Sequence, residues 1–226
     1  MPLPTAARQA ARSTRAAPLR RGAGLLGAAA LAATLLGPAP ADPAAAAGCP
    51  DSALVFARGS GEPAGLGNVG QAFAAALQSR LAGHSVEINP VDYPASHDYR
   101  PSASAGTADA SGRIQAVIAN CPATKLVLGG YSQGAAVIEL STATLPADTA
   151  DHVAAVVLFG APRSGYASNL WGGPLPVVAP AYQSKSVDLC VPDDIVCADS
   201  GNMAAHLMYV QAGMTEEGAG FAADRL

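Results

Sequence analysis

The stretch whose reading decides the fold is "KLVLGGYSQGAAVIEL" (125–140). Its first residues form a short apolar run, the pattern of a buried strand, which halts at Gly129-Gly130. A single serine follows, and an apolar pattern of helical spacing runs from 133 to 143. The segment therefore predicts strand, tight turn and helix, with Gly130-x-Ser132-x-Gly134 spanning the turn. That is the context of a nucleophile elbow, in which a strained turn lifts a serine Oγ above the sheet. The glycines let strand and helix pack closely around it. The following helix also directs its first N–H groups toward the serine, favouring a developing oxyanion. The blander alternative is a serine that caps a helix at an ordinary βα turn.

Strand-like and helix-like segments alternate on both sides of this stretch. Strands are predicted at 53–58, 85–93, 125–129, 153–160 and 182–189. Helices are predicted at 69–83, 104–119 and 133–143, with a closing helix from Met203. Such alternation of buried strands with helices predicts an α/β fold of three layers, a mostly parallel sheet covered on both faces. Crossovers in such sheets are right-handed, and ligands bind at the carboxyl ends of the strands. Residues just after strands then face a site, and residues just before them face the opposite edge.

The first 41 residues form a category of their own. Arg8, Arg12, Arg15, Arg20 and Arg21 come first without an acid among them. A 15-residue apolar run (22–36) and a small-residue stretch, "GPAPADPAAAAG", follow. This order predicts a secretory signal peptide over 1–41, cleaved between 41 and 47, and a single catalytic domain over 49–226. The run is short for a membrane span, which needs about 20 residues, so no stable membrane insertion is expected. Without the signal, 8 basic residues face 17 acidic ones, a net charge of −9 for 42–226. An acidic protein without a basic stripe is not expected to bind nucleic acid. Export also predicts that Cys49, Cys121, Cys190 and Cys197 form two disulfides. No pair has Cys-x-x-Cys spacing, so no metal site is expected. Cys49 and Cys121 each precede a strand, which favours Cys49–Cys121 at the edge away from the site and Cys190–Cys197 beside it.

A serine nucleophile needs a base. His84 and His152 immediately precede strands and belong to the wrong edge. His97 follows a strand in a polar loop and stays a distant alternative. His206, in "NMAAHLMYV", follows both the serine and every candidate acid, the chain order of this hydrolase architecture. Glu139, Asp148 and Asp151 lie in or after the elbow helix and before the fourth strand, on the wrong side. Asp193 and Asp194 lie in "CVPDDIVC", where a disulfide would clamp a short loop around the carboxylate. Asp188 ending a strand and Asp199 capping a turn are the plainer readings of those two.

Four ordered blocks resemble the cutinases, including cutinase-like esterases of actinobacteria: "VFARGSGEPAGLGNVG", "GGYSQGAAV", "CVPDDIVC" and "HLMY". The resemblance spans about 49–213 and implies an α/β-hydrolase fold with a central five-stranded parallel sheet and no large lid. It matches Ser132 to the nucleophile, His206 to the base and Asp194, four residues after Cys190, to the acid. Ser60 and Gln133 match the oxyanion-hole positions. It implies a serine esterase acting without cofactor on short- to medium-chain acyl esters and cutin-like polyesters; together with the N-terminal signal, a secreted, extracellular enzyme is expected, working as a monomer. A phospholipase or lipase-like activity with the same triad is the alternative, for which "WGGPLPVVAP" and Ile195-Val196 are candidates for an apolar rim. The intact serine, aspartate and histidine blocks argue against a non-enzymatic binding protein.

Overall fold

Alternate residues of the first strand, β1 (Ser52–Ala57), point to opposite faces of the sheet, and both faces are buried. Ala53 and Val55 join one apolar cluster, while Leu54 and Phe56 join the other. This two-sided burial requires a helical layer on each face. The computed structural model describes residues 48–226, so the predicted signal segment lies outside the described residues. The other strands are β2 (Val86–Pro90), β3 (Lys125–Tyr131), β4 (Val153–Phe159) and β5 (Ser186–Leu189). They pair in the order β2-β1-β3-β4-β5, every pair parallel.

The helices are α1 (Gly67–Arg80), α2 (Tyr99–Asn120), α3 (Gln133–Thr144), α4 (Thr149–His152), α5 (Gly165–Trp171), α6 (Pro180–Gln183), α7 (Met203–His206) and α8 (Met214–Ala223). Ile114 of α2 and Val137 and Ile138 of α3 pack with Val55 and Leu128 on one face. Phe73 and Leu77 of α1 and Ala219 and Ala222 of α8 pack with Phe56 and Phe159 on the other. The expected three-layer, five-stranded α/β-hydrolase architecture is therefore present.

Strand β2 ends at Pro90 rather than 93 and α1 runs Gly67–Arg80 rather than 69–83, and three further boundaries differ more from the sequence expectation. Helix α2 begins at Tyr99 rather than 104, because Pro101 sits in its first turn, where the missing N–H is no loss. Strand β5 is confined to Ser186–Leu189, since Pro180 starts the short α6 just before it. The closing helix is split: α7 stops at His206, and α8 starts after Gly213, whose φ of 74° is the left-handed conformation glycine tolerates.

Cys49 is bonded to Cys121 and Cys190 to Cys197, the pairing the strand-edge reasoning favours. The first bridge closes 72 residues of chain and the second only 7. Loop-closure entropy makes the first worth about 4.5 kcal/mol and the second about 2.5 kcal/mol.

Candidate active site

Strand β3 ends at Tyr131, helix α3 starts at Gln133, and Ser132 makes the whole turn. Its φ of 55° and ψ of −119° are unusual for a residue with a Cβ, a conformation costing on the order of 1–3 kcal/mol. The flanking glycines make the turn possible. A Cβ on Gly134 would run into the carbonyl of Ala57 in β1, and one on Gly130 into the carbonyl of Gly134. Ser132 occupies the cap position of α3, yet its side chain makes no capping hydrogen bond. The ordinary helix-cap reading therefore fails, and the hydroxyl is left for the cleft that Ser132 lines.

That cleft, of about 820 Å³, lies at the carboxyl edge of the sheet. His206 lines it together with Ser132, Ser60 and Gln133. His206 ends α7 and is 5% exposed; its Nδ1 lies 2.7 Å from Oδ2 of Asp194, which is fully buried. Burial alone would push the Asp194 carboxyl up, but hydrogen bonds from His206, the Tyr209 hydroxyl and the Val196 N–H hold it below its ordinary value. Asp194 is thus the ionised acceptor and Nδ1–H of His206 the donor, the arrangement that in a neutral imidazole puts the lone pair on Nε2.

The acid sits on a loop held from several sides. The Cys190–Cys197 bridge closes it, and the N–H groups of Cys197 and Ala198 donate back to the Asp194 carbonyl at 3.2 and 2.8 Å. Asn202 donates its N–H to the Asp193 carbonyl at 2.8 Å, while its side chain caps α7, tying the Asp194 loop to the helix that carries His206. Asp193 is exposed, with a φ of 63° that turns the chain so that its neighbour faces inward. Of the adjacent aspartates, only Asp194 meets the imidazole.

Ser60, in the loop after β1, has a buried Oγ without a hydrogen-bond partner among the described residues. The loop is knotted by Glu62, whose carboxylate accepts from the N–H groups of Gly59 at 2.7 Å, Asn68 at 2.8 Å and Val69 at 3.3 Å. The Gln133 side chain is 4% exposed and turned away, its Nε2 donating to the carbonyls of Ser96 and Tyr99 at 3.0 and 3.1 Å. Its backbone N–H, first in α3, has no partner within the helix.

The remaining candidates are placed elsewhere. His97 lines the cleft from the opposite loop without contacting Asp194, and His84 and His152 precede β2 and β4. Asp199 accepts from the Gly165 N–H at 3.2 Å near the start of α5, and Asp188 pairs with Arg163 at 2.7 Å. Glu139, expected on the far side, reaches the same arginine. Three residues escaped the sequence reasoning: Tyr131, whose ring stacks on His206 at 5.0 Å; Tyr209; and Glu62. The only signal was their place inside the four blocks. Among the described residues, no cluster of three or more histidine, cysteine or acidic side chains could hold a metal.

Comparison with known proteins identifies the family. The cutinase family profile matches residues 48–226. Carboxylesterase Culp1 of Mycobacterium tuberculosis is 56% identical over 179 residues, covering 79% of this chain and 82% of the relative. Phospholipase Culp4 of the same species is 46% identical over 222 residues, 94% of this chain and 95% of the relative. The cutinase of Trichoderma reesei, solved with a C11Y4 phosphonate inhibitor, superposes with a TM-score of 0.63 at 33% identity, covering 78% of this chain and 76% of that one. A profile match over the whole described chain, on a fold with an elbow serine and a clamped acid loop, shows that this chain belongs to the cutinase family and is a carboxylic ester hydrolase.

Proposed function

We propose that the chain is a secreted serine esterase in which Ser132, His206 and Asp194 form the catalytic triad. The observation that carries this reading is the elbow: Ser132 holds a costly positive φ in the cleft that His206 also lines, and His206 is bonded to a buried aspartate. In the first step Nε2 of His206 takes the Ser132 proton as Oγ attacks the ester carbonyl carbon. Asp194 stabilises the imidazolium that forms. The carbonyl oxygen becomes an oxyanion held by the backbone N–H groups of Ser60 and Gln133, with the unpartnered Ser60 hydroxyl beside them. Collapse expels the alcohol, which takes the proton from His206. Water then repeats the sequence on the acyl-serine and releases the acid.

The substrate is an ester with an aliphatic acyl chain. Tyr166, Leu170, Met203, Leu207 and Val210 line the cleft and are each more than a third exposed, an apolar rim at the mouth of the site. Such a rim suits cutin-like polyesters and short- to medium-chain esters. It also suits a phospholipid, and the relative Culp4 is named a phospholipase, so lipid hydrolysis is the second reading. Secretion rests on the arginine-first, apolar-second order of residues 1–41.

Ser132→Ala is expected to abolish hydrolysis of p-nitrophenyl butyrate while leaving the thermal unfolding transition in place. Retained turnover in that variant would overturn the nucleophile assignment. Comparing acid release from cutin with release from a phosphatidylcholine vesicle separates the two substrate readings.

A further inference from the structure

We propose that Tyr209 is a positioning residue of the reaction, acting through Asp194: its hydroxyl shares the carboxylate oxygen Oδ2 with His206 and so sets how firmly that carboxylate holds the imidazole. The inference rests on the triad reading above. Tyr209 is fully buried. Its hydroxyl donates to Asp194 Oδ2 at 2.6 Å, the same oxygen that faces His206 Nδ1 at 2.7 Å. The hydroxyl also accepts from the Val191 N–H at 3.3 Å and touches Cys197 Sγ at 3.4 Å. One oxygen atom thereby joins both ends of the disulfide-closed loop to the acid that the loop carries.

Packing alone does not call for this hydroxyl. The Tyr209 ring meets Tyr131, Phe159 and His206 at 5.4, 6.3 and 6.0 Å, contacts a phenylalanine would also make. Burying a hydroxyl costs free energy unless it is bonded, and here every bond is to the acid loop. Burial and the neighbouring Asp194 push the phenol's ionisation up, so the group stays a donor. A donor on Oδ2 draws charge from the oxygen that accepts Nδ1–H. With the Val196 N–H on Oδ1 the carboxylate is held at both oxygens, and its pull on the imidazole is moderated.

Tyr209→Phe removes one of the two donors on Oδ2, so the bond to His206 strengthens and the imidazole becomes more basic. The acid limb of kcat/KM should move to higher pH by about 0.5–1 unit, the size of one ordinary hydrogen bond. Turnover should fall on the order of tenfold as the carboxylate loses its anchor. Replacing Tyr209 by 3,5-difluorotyrosine keeps the shape and makes the hydroxyl a stronger donor, so the limb should move to lower pH.

The other ionisable groups around His206 are Asp194 on the acid loop, Tyr131 on β3, whose hydroxyl donates to the His206 carbonyl, and Glu62, His97, Tyr99 and Tyr166, which line the same cleft. Both substitutions leave all of them in place. A limb that stays put in Tyr209→Phe, or moves the same way in both proteins, overturns the proposal. If Tyr209→Phe does not fold, the fluorinated protein decides alone, and an unmoved limb there overturns it. Asp194→Asn, assayed beside them, separates the two levels. Full activity in that variant sinks the triad itself, whereas loss of activity with an unmoved limb in the Tyr209 proteins sinks only the role of Tyr209.

Discussion

Asp193 and Asp194 differ by one position in the chain and by everything in their surroundings. Asp194 is fully buried, accepts bonds from His206, Tyr209 and the Val196 N–H, and is held below its ordinary pKa. Asp193 is exposed, and its contribution lies in its backbone, at a φ of 63°. Asparagine tolerates that conformation as readily as aspartate does. Asp193→Asn should therefore keep near-wild-type turnover of p-nitrophenyl butyrate, whereas Asp194→Asn should lose about 10³–10⁴-fold. Equal losses would mean that the loop's shape, rather than one carboxylate, is what His206 needs. "CVPDDIVC" alone left the pair undivided, because the choice depends on a backbone turn and on a tyrosine 15 residues further on.

At the scale of elements, the pattern of the sequence was informative wherever a contact is local. Strand order of hydrophobicity, the glycines of the elbow and the cysteine positions relative to strand starts carry the sheet, the turn and both disulfides. The helix and strand ends were less legible, since Pro101 and Pro180 act according to their position within a turn. What could not be read was the wiring between elements. Glu62 is the clearest case: "GSGEP" looks like a polar turn, yet its carboxylate joins the loop after β1 to the first N–H groups of α1. A carboxylate at a helix N-terminus is favoured by the helix dipole, and here it also holds the backbone on either side of Ser60. Glu62→Ala should lower kcat for p-nitrophenyl butyrate by roughly tenfold with little change in KM, less than the 10²–10³ that losing an oxyanion donor outright costs. Glu62→Gln, which keeps an acceptor oxygen, should recover part of it. An alanine variant with wild-type kcat would show that the loop holds its shape without this carboxylate.

Across the whole molecule, one charge cluster outside the proposed triad ties three segments together; its Glu139 is fully buried, while Arg163 and Asp188 reach the surface. Arg163, just after β4, pairs with Glu139 of α3 at 2.5 Å and with Asp188 of β5 at 2.7 Å. Two carboxylates share one guanidinium, and Glu139 Oε2 is buried without a partner among the described residues. An ionised carboxylate with an unsolvated oxygen is costly. Burial therefore prevails over the attraction of Arg163, and the Glu139 carboxyl is pushed up to about 7 from 4.5; Asp188 is raised in the same direction, again by burial first. Between those two values the folded protein holds a proton on Glu139 that the unfolded chain has released, so stability falls as pH rises from about 4.5 to about 7. Asp194 works the other way, but the stability it contributes is lost only as pH falls below the ordinary carboxyl range. Urea midpoints at pH 5 and pH 8 should therefore differ, with the lower midpoint at pH 8. Glu139→Gln keeps the shape and removes the titration, so its two midpoints should lie closer together, the remainder reflecting Asp188. The same difference in variant and wild type would mean that Glu139 stays ionised in the folded protein across this range, with Arg163 compensating its charge in full.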